Sequence, residues 1–108
     1  MSKYHNKKVI YNDIKFDSIR EKNRYIKLKE MEDQGIIHSL ELQKKYVLQD
    51  KFKLNNKTIR EISYIADFYY IDSEGNEHVE DVKGLRLDVY KIKKKLFEYK
   101  YKIPIEEI

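Results

Sequence analysis

The sequence predicts an α/β domain: a mixed central sheet flanked by two helices, behind a short N-terminal hairpin. Three observations carry that expectation. Ile62 to Ile71 and His78 to Val82 are rich in β-branched and aromatic residues. They are separated by Asp72-Ser73-Glu74-Gly75-Asn76, so they read as two strands joined by a tight polar turn. Two other stretches, Ser18 to about Gln34 and Leu87 to Tyr99, space their apolar residues three and four apart, as helices do. The 108 residues hold no internal repeat or low-complexity linker. Residues 1–108 therefore read as one domain, of a size that buries roughly two thirds of its unfolded surface.

Bulk properties narrow the classes of function. Charged residues make up 39% of the chain, yet the net charge is only +4. Acids and bases are both abundant, so a partner must be argued from where the charges lie. The absence of cysteine excludes disulfides and thiolate zinc sites, and suits a reducing, cytoplasmic setting. No apolar run approaches membrane-spanning length, and MSKYHNKK lacks the apolar centre of a signal peptide.

In chain order, Met1 to Lys8 reads as a mobile basic arm, either solvated or reaching a phosphate backbone through Lys3, Lys7 and Lys8. Val9-Ile10-Tyr11 and Ile14-Lys15-Phe16 flank Asn12-Asp13, a good two-residue hairpin turn. The first helix starts at Ser18 and stops at Gly35, with Glu21, Tyr25, Leu28 and Met31 on one side. Glu21 is an acid on that buried stripe and has two readings. It completes a capping box with Ser18, or it points over the sheet toward other acids.

Ile36 to Leu42 reads as the first core strand, with His38 partly exposed, and Gln43 to Leu48 continues it as strand or loop. Gln49 to Lys57 reads as a loop turning at Asn55-Asn56, and Thr58 to Ile71 as one long strand. After the second strand of the hairpin, Gly84 permits an abrupt exit. The second helix has Asp88 as candidate N-cap and Leu85, Val89, Ile92, Leu96 and Tyr99 as its apolar stripe. Its lysines include Lys91, Lys94 and Lys95; Tyr101 to Ile108 closes the chain as a short strand with Pro104 at an edge or strand start.

The hairpin carries the chemistry. Gly75 supplies the positive φ that three- and five-residue hairpin loops need, and an odd loop sets Ile71 opposite Glu77. Counting back along both strands puts Asp67 opposite Asp81, and period-two alternation puts Lys83 on the face of Asp81. Opposed carboxylates repel unless a cation sits between them, and Lys83 or a divalent metal would supply one. An even loop would turn Asp81 to the other face.

An acid on one strand and D-x-K on the next resembles the PD-(D/E)xK nuclease superfamily, here Ala66-Asp67, with Ala in place of the motif's Pro, and Asp81-Val82-Lys83. The order helix, three strands, helix, strand is similar to that superfamily's restriction-endonuclease-like αβββαβ core. With FDSIRE, YIADFYY and VEDVKG, the chain from about Val9 to Ile108 looks most like a small phage-encoded, Holliday-junction-resolvase-like group.

The resemblance implies a metal-dependent endonuclease that hydrolyses DNA, with Glu21, Asp67, Asp81 and Lys83 catalytic. It implies Mg2+, or Mn2+ in its place, on Asp67, Asp81 and the Val82 backbone carbonyl, with Glu21 acting through a water or a second ion. Lys83 would orient the attacking water or stabilise the transition state. Gln43 falls where some relatives place a glutamine near the site.

Lys91, Lys94 and Lys95 are the expected phosphate contacts. No helix-turn-helix or zinc-finger pattern is present, so structure-selective or non-specific cutting is expected, and junction resolution would call for a homodimer. Two other readings stand beside it: a DNA-binding protein on the same fold that does not cut, and a small phage protein-interaction factor.

Overall fold

A computed structural model describes residues 8–82 and 87–108. Lys3 and Lys7 of the expected arm, and Lys83, Gly84 and Leu85, lie outside the described residues. The N-terminal hairpin pairs β1 (Val9–Tyr11) with β2 (Ile14–Phe16). Asn12 and Asp13 at its turn are both left-handed, with φ 51° and 62°, a conformation that short polar side chains tolerate. The hairpin leans on α1 (Ile19–Asp33), where Phe16 meets Tyr25 with ring centroids 5.2 Å apart. That helix begins as its sequence requires, the Ser18 hydroxyl accepting the Glu21 amide at 3.1 Å. It ends at Gly35, φ 76°, with the Ile36 amide donating back to the Met31 carbonyl at 2.9 Å.

The central sheet has four strands in the order β3 (Ile37–Gln49), β6 (Ile62–Asp72), β7 (Glu77–Asp81) and β8 (Ile105–Glu107). The first two pairings are antiparallel and the last is parallel, so the sheet is mixed. Helix α2 (Asp88–Tyr101) makes the crossover from β7 to β8. Its aromatic side packs on one face of the sheet, in a core of Tyr46, Tyr64, Val79, Tyr90, Phe97 and Ile105. The other face packs on α1 through Phe16, Tyr25, Leu28, Ile37, Phe68 and Tyr70.

Of the two readings of Gln43 to Leu48 the structure has the strand, within one continuous thirteen-residue β3. It corrects other details. The expected Gln49–Lys57 loop instead contains a separate hairpin of β4 (Phe52–Leu54) and β5 (Lys57–Ile59) around Asn55-Asn56, so the expected strand from Thr58 is split. The two turn asparagines are left-handed, φ 49° and 64°, which favours closing this local pair over continuing into the sheet. Leu87, not Asp88, is the N-cap of α2, and the helix runs on to Tyr101.

The largest correction concerns the buried side of α2. Tyr90 and Phe97 are buried, whereas Val89, Ile92, Leu96 and Tyr99 are between 41% and 76% exposed. The helix is apolar on two sides, and the side bearing rings wins because Tyr46, Phe97 and Tyr101 stack edge-on and face-on at 4.8 to 5.1 Å.

One irregularity fixes the position of the site. Tyr46 opposite Tyr64 packs on the α2 side, and Leu42 opposite Phe68 packs on the α1 side. All four are even-numbered, so the alternation of both strands breaks once between these pairs. The break falls at Gln43 and Asp67, where Gln43 takes φ 54° within the strand.

Candidate active site

The turn from Asp72 to Asn76 sets the register. The Asp72 carboxylate accepts the amides of Glu74 and Asn76 at 2.9 and 3.0 Å, and Gly75 takes φ 86°. This five-residue connection puts Ile71 opposite Glu77 and Phe68 opposite Glu80, as the odd-loop reading requires. One more step along that register reaches Asp67 and Asp81. There β7 ends, and the Asp67 Oδ2 takes the Val82 amide at 2.8 Å, capping the strand.

Three carboxylates converge at this point. Asp81 is 1% exposed and its Oδ2 accepts the Tyr64 hydroxyl at 2.5 Å. Glu21 is 5% exposed, and both Glu21 and Asp81 act electrostatically on the Asp67 carboxyl. Burial, then the adjacent Glu21, pushes Asp67 up from the ordinary 3.8 to about 6, against the opposing pull of the Val82 amide and Asp81. Among the described residues, no Lys or Arg forms an ion pair with Glu21 or Asp67. The buried Tyr64 hydroxyl is held far above its usual range by desolvation and by Asp81, so it stays a donor.

Both readings of Glu21 describe part of its geometry. Its amide is capped by Ser18, while its Oε1 accepts the Asp17 amide at 3.4 Å rather than the Ser18 amide of a capping box. That long contact leaves the carboxylate turned toward Asp67. Gln43 donates from Nε2 to the Asp67 Oδ1 at 3.3 Å, so the glutamine does reach the site. The Val82 side chain packs on the α1 side of the sheet and its amide is spent on Asp67. Lys83 lies outside the described residues.

Lys91, Lys94 and Lys95 share a cleft of about 310 Å³ with Tyr90, Glu98 and Glu107. The Glu107 backbone pairs with Asp81, and its carboxylate accepts the Tyr90 hydroxyl at 2.7 Å, so this basic flank adjoins the acids through one strand. Its charge is mixed: Lys94 lies 3.8 Å from Glu98.

Two participants escaped the sequence reading. Tyr64, three residues before Asp67, orients Asp81. Arg24 makes a bidentate pair with Glu80, at 2.7 and 2.6 Å, and the Tyr70 hydroxyl bonds the same carboxylate at 2.5 Å. Glu80 is fully buried on the α1 side and belongs to that structural pair, not to the acid cluster.

Among the described residues, no three His, Cys, Asp or Glu side chains stand together as a ready metal cage. In chemical type alone, carboxylates are the donors a hard divalent ion takes. All three acids are oxygen donors, and magnesium takes only one or two carboxylates while keeping several waters. A cation would favour the ionised form of Asp67, which burial and then Glu21 disfavour.

The fold and site define an α/β protein with buried acids gathered where its central hairpin opens. The chain belongs to the family described as "Protein of unknown function (DUF1064)", whose family model matches residues 1–105. No curated protein and no solved structure matches it. Among the described residues, no helix is long and apolar enough to cross a membrane.

Proposed function

We propose that this protein is a metal-dependent endonuclease that hydrolyses DNA phosphodiester bonds, selective for branched or junction DNA, in phage recombination or DNA processing. The observation that carries the reading is the lifted Asp67 carboxyl, pressed against Glu21 beside buried Asp81. A carboxyl lifted by burial and by an adjacent acid is a mark of a functional site.

Asp67 and Asp81 would hold Mg2+ or Mn2+ with the Val82 carbonyl, and Glu21 would hold a water of that ion or a second one. Such an ion, once bound, activates water and offsets charge on the phosphoryl oxygens. The chain's own residues do the positioning. Tyr64 fixes the Asp81 carboxylate by donating to Oδ2, and Gln43 and the Val82 amide fix Asp67. Lys83 follows directly in sequence, as a donor for the attacking water or the transition state. Lys91 and Lys95, exposed on the flank of α2, meet the phosphate backbone.

The test is incubation with junction, flap, single-stranded and linear DNA in Mg2+ or Mn2+. The reading requires cleavage of at least one substrate by the wild type, lost in Asp81→Ala. Salt-sensitive binding with no product in either metal replaces it with a non-cutting DNA-binding protein. No DNA affinity at low salt replaces it with a protein-interaction factor.

A further inference from the structure

The β4–β5 hairpin stands at the open end of the β3–β6 ladder, and every residue from Gln49 to Ile62 is exposed. Its turn, Asn55-Asn56, is left-handed at both positions, the geometry that holds two strands in a tight, twisted ribbon. The register pairs Phe52 with Ile59, Lys53 with Thr58 and Leu54 with Lys57. Alternation puts Phe52, Leu54, Lys57 and Ile59 on one face and Lys53 and Thr58 on the other. Lys51 and Arg60 flank the two strands. We infer that this ribbon is an arm that grips duplex DNA, its cations on phosphates and its apolar face on base edges.

Charge singles the ribbon out. Residues Lys51 to Arg60 hold four cations and no acid, which equals the whole net charge of +4. Among the described residues, none of the four pairs with an acid, whereas Lys29, Lys44, Lys45 and Lys94 each do. Guarding an exposed strand edge against aggregation would explain the lysines. It does not explain Phe52, Leu54 and Ile59, which are 43%, 61% and 37% exposed beside them. A nucleic-acid groove takes both, because its phosphate walls need cations and its floor offers base edges and thymine methyls.

A lipid surface is the poorer match, because Lys57 stands on the apolar face and would be drawn in with it. Duplex RNA is also the poorer match: a two-stranded ribbon enters the B-form major groove, and the A-form one is too deep and narrow. Ile62 lies five residues before Asp67 on β6, about 17 Å of strand. That is roughly half a turn of B-form DNA, so one duplex can span the acids and the ribbon. As part of an enzyme the arm rests on the nuclease reading, but its contact with DNA is measured without cleavage.

The test is fluorescence anisotropy of the full chain with a labelled linear duplex in EDTA, repeated across a range of salt. Lys53→Ala/Lys57→Ala should lower affinity about tenfold and reduce the slope of log affinity against log salt by about two. Phe52→Ala should lower affinity severalfold and leave that slope unchanged. Lys29→Ala, which removes an exposed cation of α1, should change neither. All these positions are exposed, and melting temperatures verify the fold of each variant. Duplex binding that both ribbon variants leave intact overturns the arm and spares the nuclease reading. No duplex binding by the wild type overturns it too, while cleavage in Mg2+ decides the nuclease reading separately. Tighter binding of the same sequence as duplex RNA, or ribbon-dependent binding to phosphatidylserine vesicles with none to DNA, likewise overturns it.

Discussion

Gln43 donates to Asp67 at 3.3 Å from a left-handed backbone, φ 54°, at the one position where β3 and β6 both change the face they present. A glutamine gains nothing from that conformation, which costs about 1 kcal/mol relative to glycine. We expect Gln43→Gly to gain roughly that much stability, a rise of about 4–8 °C in Tm. Loss of the donor should slow cleavage about tenfold, the cost of one hydrogen bond. Thermal melts and single-turnover cleavage of the same preparation check both signs.

Asp67 makes one pH-dependent contribution to the metal-free protein. Its folded value, about 6, lies above its ordinary 3.8. Its contribution is therefore fully favourable below 3.8 and is lost as pH rises through about 6. At pH 7 the ionised carboxylate costs on the order of 3 kcal/mol. Asp67→Asn should remove that cost while keeping an oxygen for the Val82 amide. It should be the more stable protein at pH 7 without metal and lose its advantage near pH 4, as denaturant titrations at the two pH values will show.

The buried pair of Arg24 and Glu80 predicts the opposite outcome for a neighbour of Asp81. Arg24→Ala strands a carboxylate that has no exposure at all and should cost about 3–5 kcal/mol. Burial lowers the Arg24 pKa less than its hydrogen bond to Glu80 raises it, so the guanidinium stays charged. Replacing both residues with apolar ones of similar volume should cost far less than either alone. A double-mutant cycle in urea measures the difference.

His78 ties three strands together. Its Nε2 meets Asp72 at 2.7 Å, its Nδ1 meets Glu106 at 2.6 Å, and its ring stacks on Tyr70 at 4.9 Å. Burial alone would lower its pKa, but the two carboxylates outweigh that and raise it above 6.5. The clamp is therefore fully present below 6.5 and fades as pH climbs past the raised value. Asp72, held at about 2 chiefly by His78, loses its share only in strong acid. His78→Gln should flatten the fall in Tm above pH 6.5, leaving the Asp67 contribution in place.

Local signals were the legible ones. Ser18 and Gly35 bracket α1, and Asp72 to Asn76 closes the hairpin with the register its Gly75 demands, so Asp67 and Asp81 could be counted together from sequence. The partners that finish the site are not local: Tyr64 reaches Asp81 from the next strand, and Arg24 and Glu80 are 56 residues apart. No periodicity reports such pairs. Periodicity also could not choose between the two apolar sides of α2, because the choice rests on rings supplied by β3 and β6. The β4–β5 hairpin was hidden because its strands are three residues each and fully exposed, too short for an alternation such as Phe52-Lys53-Leu54 to stand out from a polar loop.

The account stands on a divalent ion held by Glu21, Asp67 and Asp81, and a crystal grown with Mn2+ tests that directly. The anomalous map should place manganese between the Asp67 and Asp81 carboxylates, with Glu21 at or one water from it, and should lose that peak in Asp67→Asn. Manganese bound elsewhere, or apolar side chains filling the space between the two aspartates, would contradict it.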